Sequence, residues 1–248
     1  MSALARHRRP DMLRDIQLLA SRRAWEFAAD AIRLSMLTST GVINAVRESF
    51  QFSIAQVASP METFGPIPAV IPPGLVFNYG LLPYTPEASA GVRFLHIEPR
   101  RVVLDISGPS AALQVGYDGL REILSELRTT EGDPVIGEPI RQLDVSEIRY
   151  RMDADLERLV IPEAWQVLRQ HLGPDDSSIR FSPSLITSLL PSNELFQGRI
   201  PQASQQATLE MRFGTEPGDG VLFSSAPLTS DAHIEMLEAL DRALSANE

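Results

Sequence analysis

The densest group of residues able to bind a metal ion is the acidic run "DADLE". Its carboxylates are Asp153, Asp155 and Glu157, and Asp144 and Glu147 precede them. If the run is extended, alternate residues project from one face and could hold Mg²⁺ through oxygen ligands. If the run begins a helix, the same carboxylates are solvated residues favoured by the positive end of the helix dipole. The sequence favours the helix, and a divalent-metal-dependent hydrolase acting on phosphoesters is the alternative function.

One histidine has a carboxylate at a spacing that suits proton transfer. His96 is two residues from Glu98 in a predicted strand, so both side chains lie on one face and could form a general acid–base pair. An ordinary half-exposed position in a sheet explains the same pattern, and the sequence favours that interpretation. No two histidines are three or four residues apart, which excludes the helical zinc motifs. The four are His7, His96, His171 and His233.

Other catalytic classes lack a required residue. The chain has no cysteine, and all 22 of its basic residues are arginine. These absences exclude thiolate nucleophiles, disulfides, Schiff bases and the lysine of phosphate-binding loops. Neither a "GxSxG" serine motif nor a "GxGxxG" cofactor loop occurs. The sequence therefore predicts no catalytic residue and no cofactor, and it favours a protein that is not an enzyme.

Net charge and hydropathy limit the kinds of partner that the chain can have. The net charge of −10 argues against general nucleic-acid binding, which needs clustered cations to neutralise phosphates. Apolar runs are short and broken by proline, so no segment of the sequence approaches the roughly 20 residues that span a bilayer. We expect a cytoplasmic bacterial protein. The absence of lysine reflects either arginine-rich codon usage or selection against lysine modification.

The segment "FGPIPAVIPPGLVFNYGLLPYTP", residues 64–86, combines prolines with aromatic residues. A flexible linker would be rich in glycine, serine and charge, whereas this segment is rich in apolar side chains. It therefore predicts an ordered, proline-stiffened arm that packs either across its own domain or on another chain, with "GLVFNYG" as a strand within it. Because buried aromatic side chains dominate interface energies, its four aromatics are the predicted partner-binding residues: Phe64, Phe77, Tyr79 and Tyr84.

Apolar periodicity predicts the order of the other elements. An irregular stripe through Met12, Ile16 and Trp25 predicts a helix over residues 11–37. A second helix reaches about residue 48 and precedes a short strand. Alternation predicts a strand hairpin in "GVRFLHIEP" and "RRVVLDISG". The remaining predictions are an amphipathic helix after Gly108, a long strand in "IRQLDVSEIRYRMD", a helix over 161–172, strands within 177–190, 205–214 and 221–228, and a closing helix from about 230.

Strands followed by a helix, twice over, indicate an α+β fold. We expect a mainly antiparallel sheet with packed helices, an N-terminal helical segment and a C-terminal amphipathic helix. The predicted organisation is a helical segment over residues 1–60, a proline-rich ordered arm over 61–89 and an α+β domain over 90–248. The alternative is one continuous domain over 11–246.

The order of the central pieces also carries a resemblance. The hairpin, a helix entered through Tyr117 in "VGYDGLREIL", the strand "VSEIRYRMD" and the closing helix follow one another. This order resembles a sporadically distributed family of uncharacterised bacterial proteins of about this length, over residues 91–158 and the C-terminal helix. Where that family tends to show Gly-Leu-Arg-Tyr-Asn, this chain has Glu-Ile-Arg-Tyr-Arg at 147–151. The resemblance supports the fold and implies no activity.

Taken together, these features predict a non-catalytic protein-binding component. Such a component would be an adaptor, inhibitor, chaperone-like or assembly subunit of a bacterial cytoplasmic system, because exposed apolar surfaces rimmed by polar residues typify partner sites. The expected partner is another protein or a second copy of the chain, which makes a homo- or hetero-oligomer.

Overall fold

The computed structural model describes residues 13–29, 31–58, 74–125, 127, 132, 134–152, 185–188, 206–211 and 221–245. Within these residues the chain forms nine strands and four helices. The strands are β1 Leu13–Glu26, β2 Ile54–Ala58, β3 Gly74–Thr85, β4 Ala88–Glu98, β5 Arg101–Ser107, β6 Arg141–Met152, β7 Leu185–Ser188, β8 Gln206–Met211 and β9 Val221–Ala226. The helices are α1 Leu34–Leu37, α2 Thr40–Ser49, α3 Ser110–Leu124 and α4 Ser230–Ser245.

The strands form one open, mainly antiparallel sheet in the order β2-β3-β4-β5-β1-β6-β9-β8-β7. The fold is therefore mostly sheet. Two features predicted from the sequence are confirmed: the antiparallel sheet and the amphipathic C-terminal helix α4. The hairpin β4–β5, the helix α3, the long strand β6 and the strand β2 after α2 also lie where periodicity predicts them. The helix predicted over 161–172 lies outside the described residues.

The chain divides into two compact units. The β2–β5 unit comprises Leu18–Ser146 and Pro227–Ser230, and the β7–β9 unit comprises Met1–Gln17, Glu147–Ala226 and Asp231–Glu248. Both β1 and β6 contribute residues to each unit. The predicted boundary between residues 89 and 90 falls inside β4, because the proline-rich segment continues as β3 and pairs with β4 from Leu75↔Ile97 to Thr85↔Ala88.

The helix predicted over residues 11–37 is wrong, because Leu13–Glu26 is a strand. Its residues alternate between the two faces of the sheet. Trp25 is fully buried and stacks on Tyr117 of α3, whereas its near neighbour Arg22 reaches Asp105 of β5. In this strand the apolar Trp25 and the charged Arg22 both have partners, so the apolar residues do not mark one face of a helix. The place of these residues between β5 and β6 in the sheet outweighs their local helical periodicity.

The core of the β2–β5 unit lies between α3 and the sheet. The rings of Trp25 and Tyr117 are nearly parallel, with centroids 4.4 Å apart. Next to them, a side chain on Gly116 would place its Cβ 2.6 Å from Leu104, so the absence of a side chain lets α3 approach β5 closely. Burial raises the pKa of Tyr117 to about 12. Its hydroxyl therefore stays protonated at physiological pH.

The opposite face of the same sheet carries a buried carboxylate between two arginines. Asp105 is fully buried, and the Arg22 Nε and Nη2 atoms lie 2.7 and 2.6 Å from its Oδ2. The Nε atom of Arg93 in β4 lies 2.9 Å from its Oδ1. Three adjacent strands thus contribute to one ion cluster. Because a buried carboxylate is costly without cationic partners, the cluster specifies the order β4-β5-β1.

Two buried serines satisfy the first backbone donors of α3 and α4. The Ser110 N–H donates to Ser230 Oγ over 3.1 Å, and the Ser230 N–H donates to Ser110 Oγ over 2.8 Å. Helix N-termini leave backbone N–H groups without intrahelical acceptors, and each serine hydroxyl here accepts a hydrogen bond from one of them. The reciprocal pair holds Pro227–Ser230 against the start of α3 within the β2–β5 unit.

Replacing the buried carboxylate tests its role in the fold. We expect Asp105→Asn to lower the free energy of unfolding by about 2 to 3 kcal/mol, because two half-buried arginines lose their shared counter-charge. Urea denaturation measures the change. The control is Asp118→Asn on the exposed face of α3, which we expect to change stability by less than about 0.5 kcal/mol. Equal effects of the two substitutions would contradict this account of the cluster.

Candidate functional site

Strand β2 is the terminal strand of the sheet, and its pairing with β3 places the two ends of residues 59–73. It pairs with β3 from Ile54↔Asn78 to Ala58↔Gly74. Residues 59–73, which lie outside the described residues, connect Ala58 to Gly74. Ala58 and Gly74 are paired in the ladder, so both ends of these residues lie at one place on the sheet, within the β2–β5 unit.

Beyond that pairing, the backbone of β3 turns at Tyr79. This residue has φ of 56°, a left-handed conformation that non-glycine residues rarely adopt. Its carbonyl oxygen accepts hydrogen bonds from Ser53, over 3.1 Å from the backbone N–H and 3.2 Å from the hydroxyl. The Leu81 N–H then donates to the Phe50 carbonyl over 2.8 Å. These bonds hold the Tyr79 backbone in place, while its side chain points outward and the residue is 69% exposed.

The predicted partner-binding residues separate by burial. Phe77 is 1% exposed and packs against Phe52 with ring centroids 5.3 Å apart, so it belongs to the core of the β2–β5 unit. Tyr84 is half-buried and packs against the same core. Phe64 lies outside the described residues. Of the three described residues, Tyr79 alone presents its ring to solvent.

Other exposed apolar residues lie on the same two strands. With Tyr79 these residues make up what we call the β2–β3 edge surface, which adds Ile54 (45% exposed), Val57 (55%) and Leu81 (38%). Ile54 and Val57 are three residues apart on β2, so they lie on opposite faces of that strand. Sequence reasoning missed these three. The alternation in "FSIAQVAS" predicts a strand, but it does not reveal that the strand ends the sheet and leaves Val57 uncovered.

The predicted pair of His96 and Glu98 does share one face of β4. The His96 Nδ1 lies 3.2 Å from Glu98 Oε1, and Arg101 Nη2 donates to the same oxygen over 2.9 Å. Burial lowers the pKa of His96, and Arg101 lowers it further, against the opposing effect of Glu98. The ring is therefore neutral at physiological pH and donates from Nδ1, which leaves its lone pair on Nε2.

That lone pair is closed off by the backbone of β3. The Nε2 atom is buried and has no hydrogen-bond partner among the described residues. A Cβ added to Gly74 would lie 2.7 Å from Nε2 and 2.4 Å from the Ile97 carbonyl oxygen, so the two strands meet closely here. A general base needs its acceptor atom within reach of a substrate proton. The geometry supports a structural role for His96.

A second histidine lies within hydrogen-bond reach of a serine in the β7–β9 unit. Ser224 Oγ lies 2.8 Å from His233 Nε2, and both residues are buried. The same hydroxyl donates to the Thr208 carbonyl over 2.9 Å. Since its only proton is used there, His233 Nε2 must be the donor in the serine–histidine bond. The pair has the wrong polarity for an activated nucleophile, which needs the histidine to accept that proton.

The carboxylates proposed as metal ligands are not assembled in the described part of the chain. Asp144 Oδ1 accepts a hydrogen bond from Arg23 Nε over 2.7 Å, so an arginine already neutralises it. Asp153, Asp155 and Glu157 lie outside the described residues. Within those residues no three histidine, aspartate or glutamate side chains are grouped so as to hold a metal ion. The metal-dependent hydrolase stays a prediction.

One shallow cleft lies at the C-terminal end of α3. It has a volume of about 120 Å³ and is lined by Arg121, Leu124, Ser125, Pro134 and Ile136. Sites for small molecules usually enclose about 300 to 1,000 Å³. This cleft is too small to hold a substrate of ordinary size.

No protein-family model matches the chain, and no curated protein matches it. The resemblance to the sporadically distributed bacterial family therefore stays a prediction. Among the described helices, none has the length and apolar composition needed to cross a membrane.

The lowered pKa of His96 predicts a pH dependence of stability. The unfolded chain binds a proton at His96 as the pH falls through about 6.5, whereas the folded chain does so only at lower pH. The stability that His96 contributes is thus complete above pH 6.5 and is lost as the pH falls below it. We expect wild type to lose more unfolding free energy between pH 7 and 5 than His96→Asn, which keeps a donor towards Glu98 but cannot titrate. Urea denaturation at each pH measures this, and parallel curves for the two proteins would contradict it.

Burial also predicts different effects on stability when Phe77 and Tyr79 of β3 are each replaced by alanine. We expect Phe77→Ala to cost about 3 to 5 kcal/mol of unfolding free energy, because it leaves a cavity beside Phe52. Tyr79→Ala should change stability by no more than about 0.5 kcal/mol, since the ring is exposed. Thermal and urea unfolding of both variants check this contrast. A large loss on Tyr79→Ala would place that ring in the core.

Proposed function

We propose that the chain is a non-catalytic protein-binding component, an adaptor, inhibitor, chaperone-like or assembly subunit of a bacterial cytoplasmic system. It binds its partner through the β2–β3 edge surface, with Tyr79 as the central residue. The proposal includes the α+β class for the fold, with helices packed on the sheet as α3 packs through Tyr117 on Trp25.

The backbone conformation of Tyr79 carries this proposal. A left-handed conformation costs a non-glycine residue about 1 to 2 kcal/mol, and glycine avoids that cost. The ring recovers little of it by burial in the isolated chain, because the residue is 69% exposed. Strained residues of this kind cluster where a protein binds something. A tyrosine that weakens the free chain is explained if its ring is buried in a complex.

The surroundings of Tyr79 suit a protein partner. Ile54 and Leu81 are exposed apolar residues on the same two strands, and aromatic residues supply much of the energy at protein interfaces. The chain as a whole is acidic, with a net charge of −10. A partner with basic residues around an apolar patch would be attracted over long range, and its association would slow as salt screens that attraction.

A substitution that relieves the strain separates binding from folding. We expect Tyr79→Gly to raise the free energy of unfolding by about 1 kcal/mol, because glycine adopts the left-handed conformation without cost. The same variant should lose the partner. The matched control is Gln51→Gly, since Gln51 is exposed with φ of 51° and lies outside both β2 and β3. It should gain similar stability and keep the partner.

The measurement combines urea denaturation with recovery of tagged protein from lysate of the native host. The proposal requires a stoichiometric partner with wild type and with Gln51→Gly that is absent with Tyr79→Gly. Retention of that partner by a folded Tyr79→Gly protein would refute the assignment of the site. Deleting residues 65–86 is not an informative variant, because it removes β3 from the sheet.

A further inference from the structure

Among the described residues, the outer edge of β2 has no neighbouring strand. Among the described residues β2 pairs with β3 alone, and it is the terminal strand of the sheet. Along a strand the N–H and C=O groups of successive residues point alternately to its two sides, so the side of β2 away from β3 carries groups that can pair with one more strand. Its sequence, Ile-Ala-Gln-Val-Ala over Ile54–Ala58, contains no charged residue.

Natural sheet edges are usually protected, and β2 differs from β3 in this respect. Charged side chains, prolines and bulges prevent an edge from pairing with another chain. The edge of β3 beyond Tyr79 has two such features, Pro83 and a register irregularity between Pro83 and Thr85. Strand β2 has none of them. It also exposes Ile54 and Val57, both β-branched residues that suit a paired strand.

We propose that β2 pairs antiparallel with β2 of a second copy of the chain, about a two-fold axis at Gln56. This inference rests on the proposed function, since it names the partner of one part of the β2–β3 edge surface. A two-fold pairing places Ile54 opposite the position of Ala58 and Ala55 opposite Val57, so each large residue meets a small one. The two Gln56 residues meet at the axis, where their amides can hydrogen-bond to each other.

Electrostatics and size determine the strength of this dimer. Two chains of net charge −10 repel each other, but the paired strands themselves carry no charge. Salt screens the repulsion, so the dimer becomes stronger as ionic strength rises. Five paired residues bury far less than the roughly 800 Å² per partner of a standard interface. The dimer is therefore weak and depends on protein concentration.

The absence of cysteine from the chain allows a clean cross-linking test. Gln56→Cys places one thiol per chain at the proposed axis, where antiparallel partners have Cα atoms close enough for a disulfide. We expect this variant to form a covalent dimer under mild oxidation at least tenfold faster than Ile140→Cys. Ile140 is a matched control because it is a 71% exposed apolar residue outside β2. Equal rates for the two variants would overturn the proposal.

A charge variant tests the same axis without cross-linking. Gln56→Lys places two positive charges opposite each other and should weaken the dimer about threefold to fivefold in sedimentation equilibrium. Ile140→Lys should change it less than twofold. Because Gln56 is exposed, neither variant should alter the thermal unfolding midpoint by more than a few degrees. A protein that is monomeric at every accessible concentration, or a dimer that Gln56→Lys leaves unchanged, overturns the proposal.

The remaining outcomes distinguish other arrangements. If the double variant Gln56→Cys with Ile186→Cys forms a ladder of oligomers and Gln56→Cys alone forms no dimer, β2 pairs with β7 of the next copy instead. That result also overturns the two-fold pairing. Failure of dimerisation leaves the Tyr79 proposal intact, because Tyr79→Gly tests it through loss of a partner that wild type recovers.

Discussion

The β2–β5 unit depends on strand β1, because that strand carries essential contacts on both faces. One face buries Trp25 against Tyr117, and the other presents Arg22 to the buried Asp105. Removing Asp105 from water is tolerable only with cations beside it, and they come from β1 and β4. A one-residue slip of β1 would exchange its two faces and lose both contacts. Register and strand order are thus specified together.

Strand β2 at the edge of the sheet lacks the buried contacts that fix β1. Strand β2 has no buried ion pair, and its two β-branched residues are largely exposed. In the neighbouring strand β3, Tyr79 adopts a strained left-handed conformation that suits glycine better. A protected and unstrained edge would carry charged residues on β2 and glycine at position 79. The proposed partner at this edge would account for both departures. Phe77 and Phe52 pack against each other in the core of the same unit.

The polar side chains that resemble catalytic groups have structural explanations. The lone pair on His96 faces the backbone of Gly74, and the Ser224 hydroxyl donates its proton to a carbonyl rather than to His233. The serine arrangement satisfies both of its polar groups, whereas the buried His96 Nε2 has no hydrogen-bond partner among the described residues. Neither leaves an acceptor where a substrate could reach it. Such contacts are invisible in the sequence, because they join residues on different strands and helices.

The sequence by itself determined the elements whose periodicity is regular and local. It predicts the β4–β5 hairpin, α3, β6 and α4, because each has one apolar face of the proper period. It also placed His96 and Glu98 on one face, since strand alternation requires it. Tertiary structure decided the rest. Residues 13–26 become a strand because their neighbours β5 and β6 supply partners. Phe77 and Tyr79 separate into core and surface because the left-handed conformation at Tyr79 changes the direction of the chain. No local pattern carries that information, since burial depends on what packs against each face.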